Sequence, residues 1–185
     1  KNLKDTIQKF KELDNNKYLV AWIDSISKND AMGRSIIFIG NHSDKGDLNF
    51  IEKIKFSIPK IFPGFLLNKY VISFLNKFYY LYHKHDKKFK QTLDNFFYPL
   101  DGIDNWNNLY GKKGFIQIQV LIKDRNFEEV IKEILKFFQD NNQLSFLSTL
   151  KELGPGNTNY LSFPDKGYTL TLDLKMHKDL ESIYQ

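Results

Sequence analysis

Cysteine is absent from the 185 residues, which excludes disulfides, thiolate metal sites and a cysteine nucleophile. Long uncharged apolar runs are also missing. The most apolar stretch, FLLNKYVISFLNKFYYLYHK (Phe65–Lys84), is interrupted by Asn68, Lys69, Asn76 and Lys77, a poor composition for a membrane span. No secretory signal pattern is visible, so the expected location is the cytoplasm or the inner face of the membrane. Proline is scarce, and two of the five, Pro59 and Pro63, break any long element around them. No repeat of fixed period is present. The charge excess is mild, +5 with a sequence pI near 9.1. It comes from lysines scattered along the whole chain, without a recognition motif, and nucleic acid is not an expected partner. His83 and His85 have no local third ligand, and no metal is expected there.

Hydrophobic residues make up 42% of the chain and aromatics 16%, enough for a sizeable core in one domain. Leu3, Ile7, Phe10 and Leu13 fall at helical spacing and predict a short amphipathic helix over residues 2–14. KYLVAWIDSIS (Lys17–Ser27) and RSIIFIGNH (Arg34–His42) read as two strands of a hairpin. The segment 50–90 gives no clean periodicity, and its apolar part reads as a buried or partner-facing helix or strand pair. HKHDKKFK (His83–Lys90) reads as a solvated loop. In NFEEVIKEILKFFQDNN (Asn126–Asn142), Phe127, Val130, Ile131, Ile134, Leu135 and Phe138 form one apolar stripe. Asn126 and Glu129 stand at the spacing of a capping box. Strands flank this helix at Gly114–Ile122 and Ser145–Leu153, a turn at Gly154–Asn157 leads to a last strand at Tyr168–Leu174, and a final helix begins near Asp179. This order predicts an α+β fold, a largely antiparallel sheet with helices packed on one face.

The candidate site lies in strand alternation. Gln117 and Gln119 share one face of a strand while Ile116, Ile118 and Val120 share the other. Thr169, Thr171 and Asp173 oppose Tyr168, Leu170 and Leu172. Lys151 shares a face with Thr149 and Leu147. A sheet with one packed face and one face of amides, hydroxyls and an ammonium suits a polar ligand. Each residue also has a plainer reading: solvated glutamines and lysine, β-forming threonines, Trp22 as core, and Tyr98 and Trp106 as loop anchors rather than a lid. For Phe74–Tyr82 the plainer reading is a buried packing element; the other is contact with a bilayer surface.

Six segments, in order, carry a resemblance: AWIDSIS (Ala21–Ser27), Gly33-Arg34, IPKIFPGFLLNK (Ile58–Lys69), FFYPLDGIDNWNNLYGKKGFIQIQ (Phe96–Gln119), SFLSTLKELGPGN (Ser145–Asn157) and LSFPDKGYTLTLD (Leu161–Asp173). From about Tyr18 onward the chain resembles the substrate-binding domain of the FAD-linked oxidases of the vanillyl-alcohol-oxidase type. Within them it is most similar to the oxidase subunits of polyprenylphosphoryl-ribose 2′-epimerases, with aldonolactone oxidases as relatives. The resemblance implies a domain lying over a flavin that a separate FAD domain holds. It implies catalytic roles for Lys151 and Gln119, flavin contacts for Gln117 and Lys151, and substrate contacts for Gln117, Thr169, Thr171, Tyr98 and Trp22. Thr169 and Thr171 stand where the best-known branch has asparagine and cysteine, a departure that bears on substrate fit.

The implied reaction is oxidation of a sugar secondary alcohol by hydride transfer to FAD, with C2′ of a polyprenylphosphoryl ribose as substrate. A reductase of the short-chain dehydrogenase class is the implied partner. The alternatives are an aldonolactone or alditol oxidase, a non-catalytic sugar-phosphate module, and a structural interaction domain. No glycine-rich phosphate cradle is present, Lys1 is not a methionine, and Gln185 falls within a helix-like run. These lead us to expect a fragment, 1–185, that lacks the FAD domain and a C-terminal tail and is inactive by itself.

Overall fold

The first turn of the chain already shows how the sequence sets its packing. Helix α1, Leu3–Glu12, is capped by Asn2, whose Oδ1 accepts from the Asp5 amide at 2.9 Å. Its Leu3, Thr6, Ile7 and Phe10 are buried, as the i, i+3, i+4, i+7 spacing requires. The computed structural model describes residues 1–46, 55–63, 65, 67–85, 87–123 and 125–176. The expected last helix near Asp179 lies outside them.

Strands β1 (Tyr18–Ile23) and β2 (Ser35–Gly40) pair antiparallel, Tyr18 against Gly40 and Ile23 against Ser35. The expected hairpin is therefore present. Its connection is tight at Gly33, which has φ +67°, and a Cβ there would stand 2.8 Å from Leu3 Cβ. Two-residue strands β3 (Phe56–Ser57) and β4 (Ile103–Asp104) form a separate parallel pair. Between them in sequence lie helices α2 (Lys69–His83) and α3 (Leu93–Phe97).

Strand β5 (Phe115–Ile122), helix α4 (Phe127–Asp140), strand β6 (Ser145–Leu153) and strand β7 (Gly167–Lys175) complete the main sheet. Its order is β2-β1-β6-β7-β5. Every neighbouring pair in it is antiparallel, so β5 and β6 run the same way with β7 inserted between them. The strand–helix–strand unit is thus a split crossover, with α4 passing over β7.

One face of the sheet meets α1 and α4. Ala21, Ile23, Leu150, Leu170, Leu172 and Leu174 from the strands pack with Leu3, Ile7, Phe10, Ile131 and Leu135. Each such leucine or isoleucine contributes roughly 1.5–3 kcal/mol by leaving water. Tyr168 joins them, its ring stacked 3.9 Å from that of Phe127. The capping box is not formed: Asn126 makes no side-chain cap bond, and Glu129 pairs with Lys132 instead. With φ −90° and ψ 24°, Asn126 is not in the extended conformation that aims a cap side chain at the first turn.

Among the described residues, α2 and the 106–110 segment cover part of the other face. Helix α2 is capped by Asn68 through the amides of Tyr70 and Val71. Trp22 meets Tyr79 edge-on at 4.8 Å. Buried Asp24 accepts from Arg34 Nη2 at 2.7 Å, Ser27 Oγ at 2.6 Å and Asn76 Nδ2 at 2.8 Å. The 3-10 segment Trp106–Tyr110 folds back on β5, with Tyr110 stacked on Phe115 at 4.4 Å, and Tyr110 lines one recess with Lys69 and Ile72 of α2. The buried reading of Phe74–Tyr82 holds for one stripe only. Ile72 and Asn76 are buried, whereas Phe74 (69% exposed), Phe78 (61%) and Tyr82 (61%) face outward.

Candidate functional site

Beside these covers, the polar strip of the sheet is open among the described residues. Cross-strand partners share a face: Gln117 pairs with Asp173, Gln119 with Thr171, Thr149 with Thr171. The alternation that sends Leu170, Leu172 and Leu174 into the core sends Thr169, Thr171 and Asp173 to this side. A recess of about 150 Å³ is lined by Gln117, Gln119, Leu147, Thr149, Lys151, Thr171 and Asp173. At about 30 Å³ per water, that volume admits a few water molecules or part of a sugar ring. It is one wall of a site rather than a closed pocket, since ligand pockets run to several hundred Å³.

Four residues singled out from the sequence meet here: Gln117, Gln119, Thr171 and Lys151. Lys151 is exposed and has no ion-pair partner among the described residues. An uncommitted ammonium beside hydroxyls and amides is suited to an anionic or oxyanionic group. Thr169 is fully buried and does not line the recess. It acts on the recess indirectly, its Oγ1 accepting from Gln119 Nε2 at 3.1 Å. Trp22 lies on the same sheet face, opposite Thr149, but is 8% exposed and committed to Tyr79. Tyr98 is half exposed at the end of α3, with its ring near Phe97. Trp106 packs against Phe115 at 4.9 Å. Neither Tyr98 nor Trp106 lines the recess.

Asp173 is the residue whose importance the sequence reading passed over. Its carboxyl is fully buried, Oδ1 accepts from Gln117 Nε2 at 2.7 Å, and Oδ2 has no partner among the described residues. Burial pushes its pKa above the usual carboxylate range, and the Gln117 bond offsets this only in part. Tyr110 has a buried hydroxyl without a partner among the described residues. Its pKa is raised by burial and then by the charge of Asp173. The signal in the sequence was an acidic residue at an inward alternate position of a strand otherwise filled by threonines. A larger recess of about 210 Å³ lies beyond, at Tyr110, Lys69 and Lys175. None of the residues singled out from the sequence lines it.

The fold and this face define a class: an α+β chain that packs one side of an antiparallel sheet and offers amides, hydroxyls and an ammonium on the other. No protein-family model matches the chain. Among curated proteins it is 33% identical, over 175 residues and 90% of its length, to decaprenylphosphoryl-β-D-ribose oxidase of Mycolicibacterium smegmatis. The resemblance to the polyprenylphosphoryl-ribose branch of the FAD-linked oxidases, expected from the sequence, is shown by this match. The chain spans 38% of the length of that oxidase.

Proposed function

We propose that the chain is the substrate-binding domain of a FAD-dependent oxidoreductase that oxidises a secondary alcohol of a sugar, C2′ of a polyprenylphosphoryl ribose. The observation that carries this reading is the gathering of Gln117, Gln119, Thr171 and Lys151 around one open recess. The similarity to a decaprenylphosphoryl-ribose oxidase supports it. The donor set fits a flavin on one side: an ammonium without an ion-pair partner among the described residues, beside two amides, can meet the anionic edge of a reduced ring. FAD, when bound by a separate domain, supplies the acceptor for the hydride.

The remaining work falls to this chain. Gln117 and Gln119 hold sugar hydroxyls in register, Thr171 adds a hydroxyl contact, and Lys151 holds negative charge on the substrate or cofactor. The keto-sugar product is a substrate for a reductase of the short-chain dehydrogenase class, which completes the epimerisation. A membrane surface belongs to the same reading. The outward face of α2 carries Tyr70, Phe74, Phe78 and Tyr82, one per helical turn, beside Lys69, Lys77, Lys84 and Lys87. Aromatic rings with flanking lysines suit the interface of an anionic bilayer, which supports a location at the inner face of the membrane for an enzyme of a polyprenyl substrate.

The test is anaerobic visible absorption of the complete protein loaded with FAD and mixed with a prenylphosphoryl ribose. Bleaching of the flavin band is the expected result. Bleaching by an aldonolactone alone moves the protein to the lactone-oxidizing branch. Failure to retain flavin overturns the oxidase reading and leaves a sugar-phosphate binding module.

A further inference from the structure

A carboxylate can only accept hydrogen bonds, whereas a hydroxyl both donates and accepts. The two glutamines of the recess differ in this respect. Gln117 Nε2 lies 2.7 Å from Asp173 Oδ1, so an ionised Asp173 dictates that the amide nitrogen points toward β7. Gln119 meets Thr169 Oγ1 at 3.1 Å, a contact that permits either amide orientation. Asp173 is fully buried and Gln117 lines the recess.

We propose that Asp173 is a positioning residue: its carboxylate turns Gln117 so that Oε1 is presented to the recess, where it accepts a hydrogen bond from a ligand hydroxyl. Gln117 then selects a donor. A sugar hydroxyl satisfies it, while a carbonyl at the same point sets two oxygen lone pairs against each other. Gln119, held by a hydroxyl, adapts to whichever group lies next to it. When Asp173 takes up a proton, the carboxylic acid donates to Gln117 Oε1 and the amide nitrogen turns to the recess. The shape of the site is kept and its polarity reversed. Protonation is within reach because burial favours the neutral acid.

Among the described residues, the groups around Asp173 are few. Gln117 approaches from β5 and Tyr110 from the 106–110 segment, while Ser145 Oγ accepts from the Asp173 backbone amide at 3.0 Å. Lys151 lines the same recess, and Lys175 stands two positions along β7 on the same face. Tyr110 stays neutral through this range, since burial raises its pKa further above the usual tyrosine value. The change of charge is therefore that of Asp173.

The inference rests on the proposed function only for its turnover arm, and the experiment separates the two. In the complete, FAD-loaded protein labelled with ¹⁵N, the Gln117 side-chain amide is assigned by its loss in Gln117→Met and followed from pH 4 to 8. The expected result is one titration of that amide in the wild type and none in Asp173→Asn. With prenylphosphoryl ribose as substrate, KM rises about fivefold on the acid side of the same titration with kcat nearly constant. That is the size of one net hydrogen bond, and Asp173→Asn shows no such limb. A Gln117 amide that does not titrate in the wild type, or an acid limb that survives in Asp173→Asn, overturns the proposal. If the amide titrates with Asp173 but no sugar alcohol is oxidised, the positioning role stands and the oxidase reading fails.

Discussion

Lys151 is the residue at which the proposed function and stability are expected to separate most cleanly. It is exposed, pairs across the sheet with Val20 and Thr169, and makes no ion pair among the described residues. Its removal takes away no buried contact, and surface substitutions of this kind usually stay within about 0.5 kcal/mol. An ammonium that stabilises developing negative charge contributes far more to a barrier than to a fold. Lys151→Ala in the complete protein is therefore expected to lower turnover by about 100-fold while moving the midpoint of thermal unfolding by about 1–2 °C. Steady-state kinetics with a parallel melting curve check this, and equal loss of both properties removes Lys151 from the site. Thr169 is the contrasting case. It belongs to the same alternation, yet β6 and β5 close over it, so its substitution reaches the ligand only through Gln119.

At the scale of elements, α2 decides how the polar face is bounded. It meets the sheet through Ile72, Tyr79 and a polar cluster centred on Asp24, a carboxylate 1% exposed. Arg34 supplies two nitrogens to Asp24 Oδ2, and Asn76 reaches from α2 to Oδ1. Arg34 also lies over the ring of Tyr80, 4.9 Å from its centroid. Breaking a buried pair by removing one partner leaves an uncompensated charge and typically costs about 3–5 kcal/mol. For Arg34→Ala the expected loss is about 2–4 kcal/mol in urea unfolding, because Ser27 and Asn76 still serve Asp24. Amide exchange should report faster opening of α2 than of β6 and β7. A loss below about 0.5 kcal/mol would show that Asn76 and Ser27 suffice to anchor the helix.

At the scale of the whole molecule, the two faces of the sheet differ. Among the described residues, the α1–α4 side is closed and apolar, and the opposite side carries the recess and meets α2 through Trp22 and Tyr79. The outward aromatics of α2 and the lysines among them form an exposed apolar and cationic surface, the basis of the proposed contact with an anionic bilayer. The complete protein is expected to sediment with vesicles of phosphatidylglycerol and phosphatidylcholine and much less with phosphatidylcholine alone. The double variant Phe74→Ser, Phe78→Ser should lower the affinity for these vesicles about 30-fold or more, since each ring contributes about 1–2 kcal/mol at an interface. Binding unchanged by that variant assigns the aromatic face to a protein contact instead.

The sequence by itself determined what depends on local period. The α1 and α4 stripes, the β1–β2 hairpin, and the alternation that places Gln117, Gln119, Thr171 and Lys151 on side chains opposite the core were legible, because 3.6- and 2-residue periods fix which neighbours share a face. The ordered segments from Ala21 to Asp173 also carried the resemblance. Tertiary structure alone decided which of those faces met. Insertion of β7 between β5 and β6 brings Asp173 against Gln117 and Thr169 against Gln119, contacts between residues 56 and 50 positions apart. It also buries Thr169 away from the recess while leaving Thr171 and Asp173 to line it, a distinction that alternation cannot express. The fate of α2 was decided the same way. Its apolar residues are too many for one clean stripe, and the Asp24 cluster and Trp22 settle which stripe turns inward and which is left exposed.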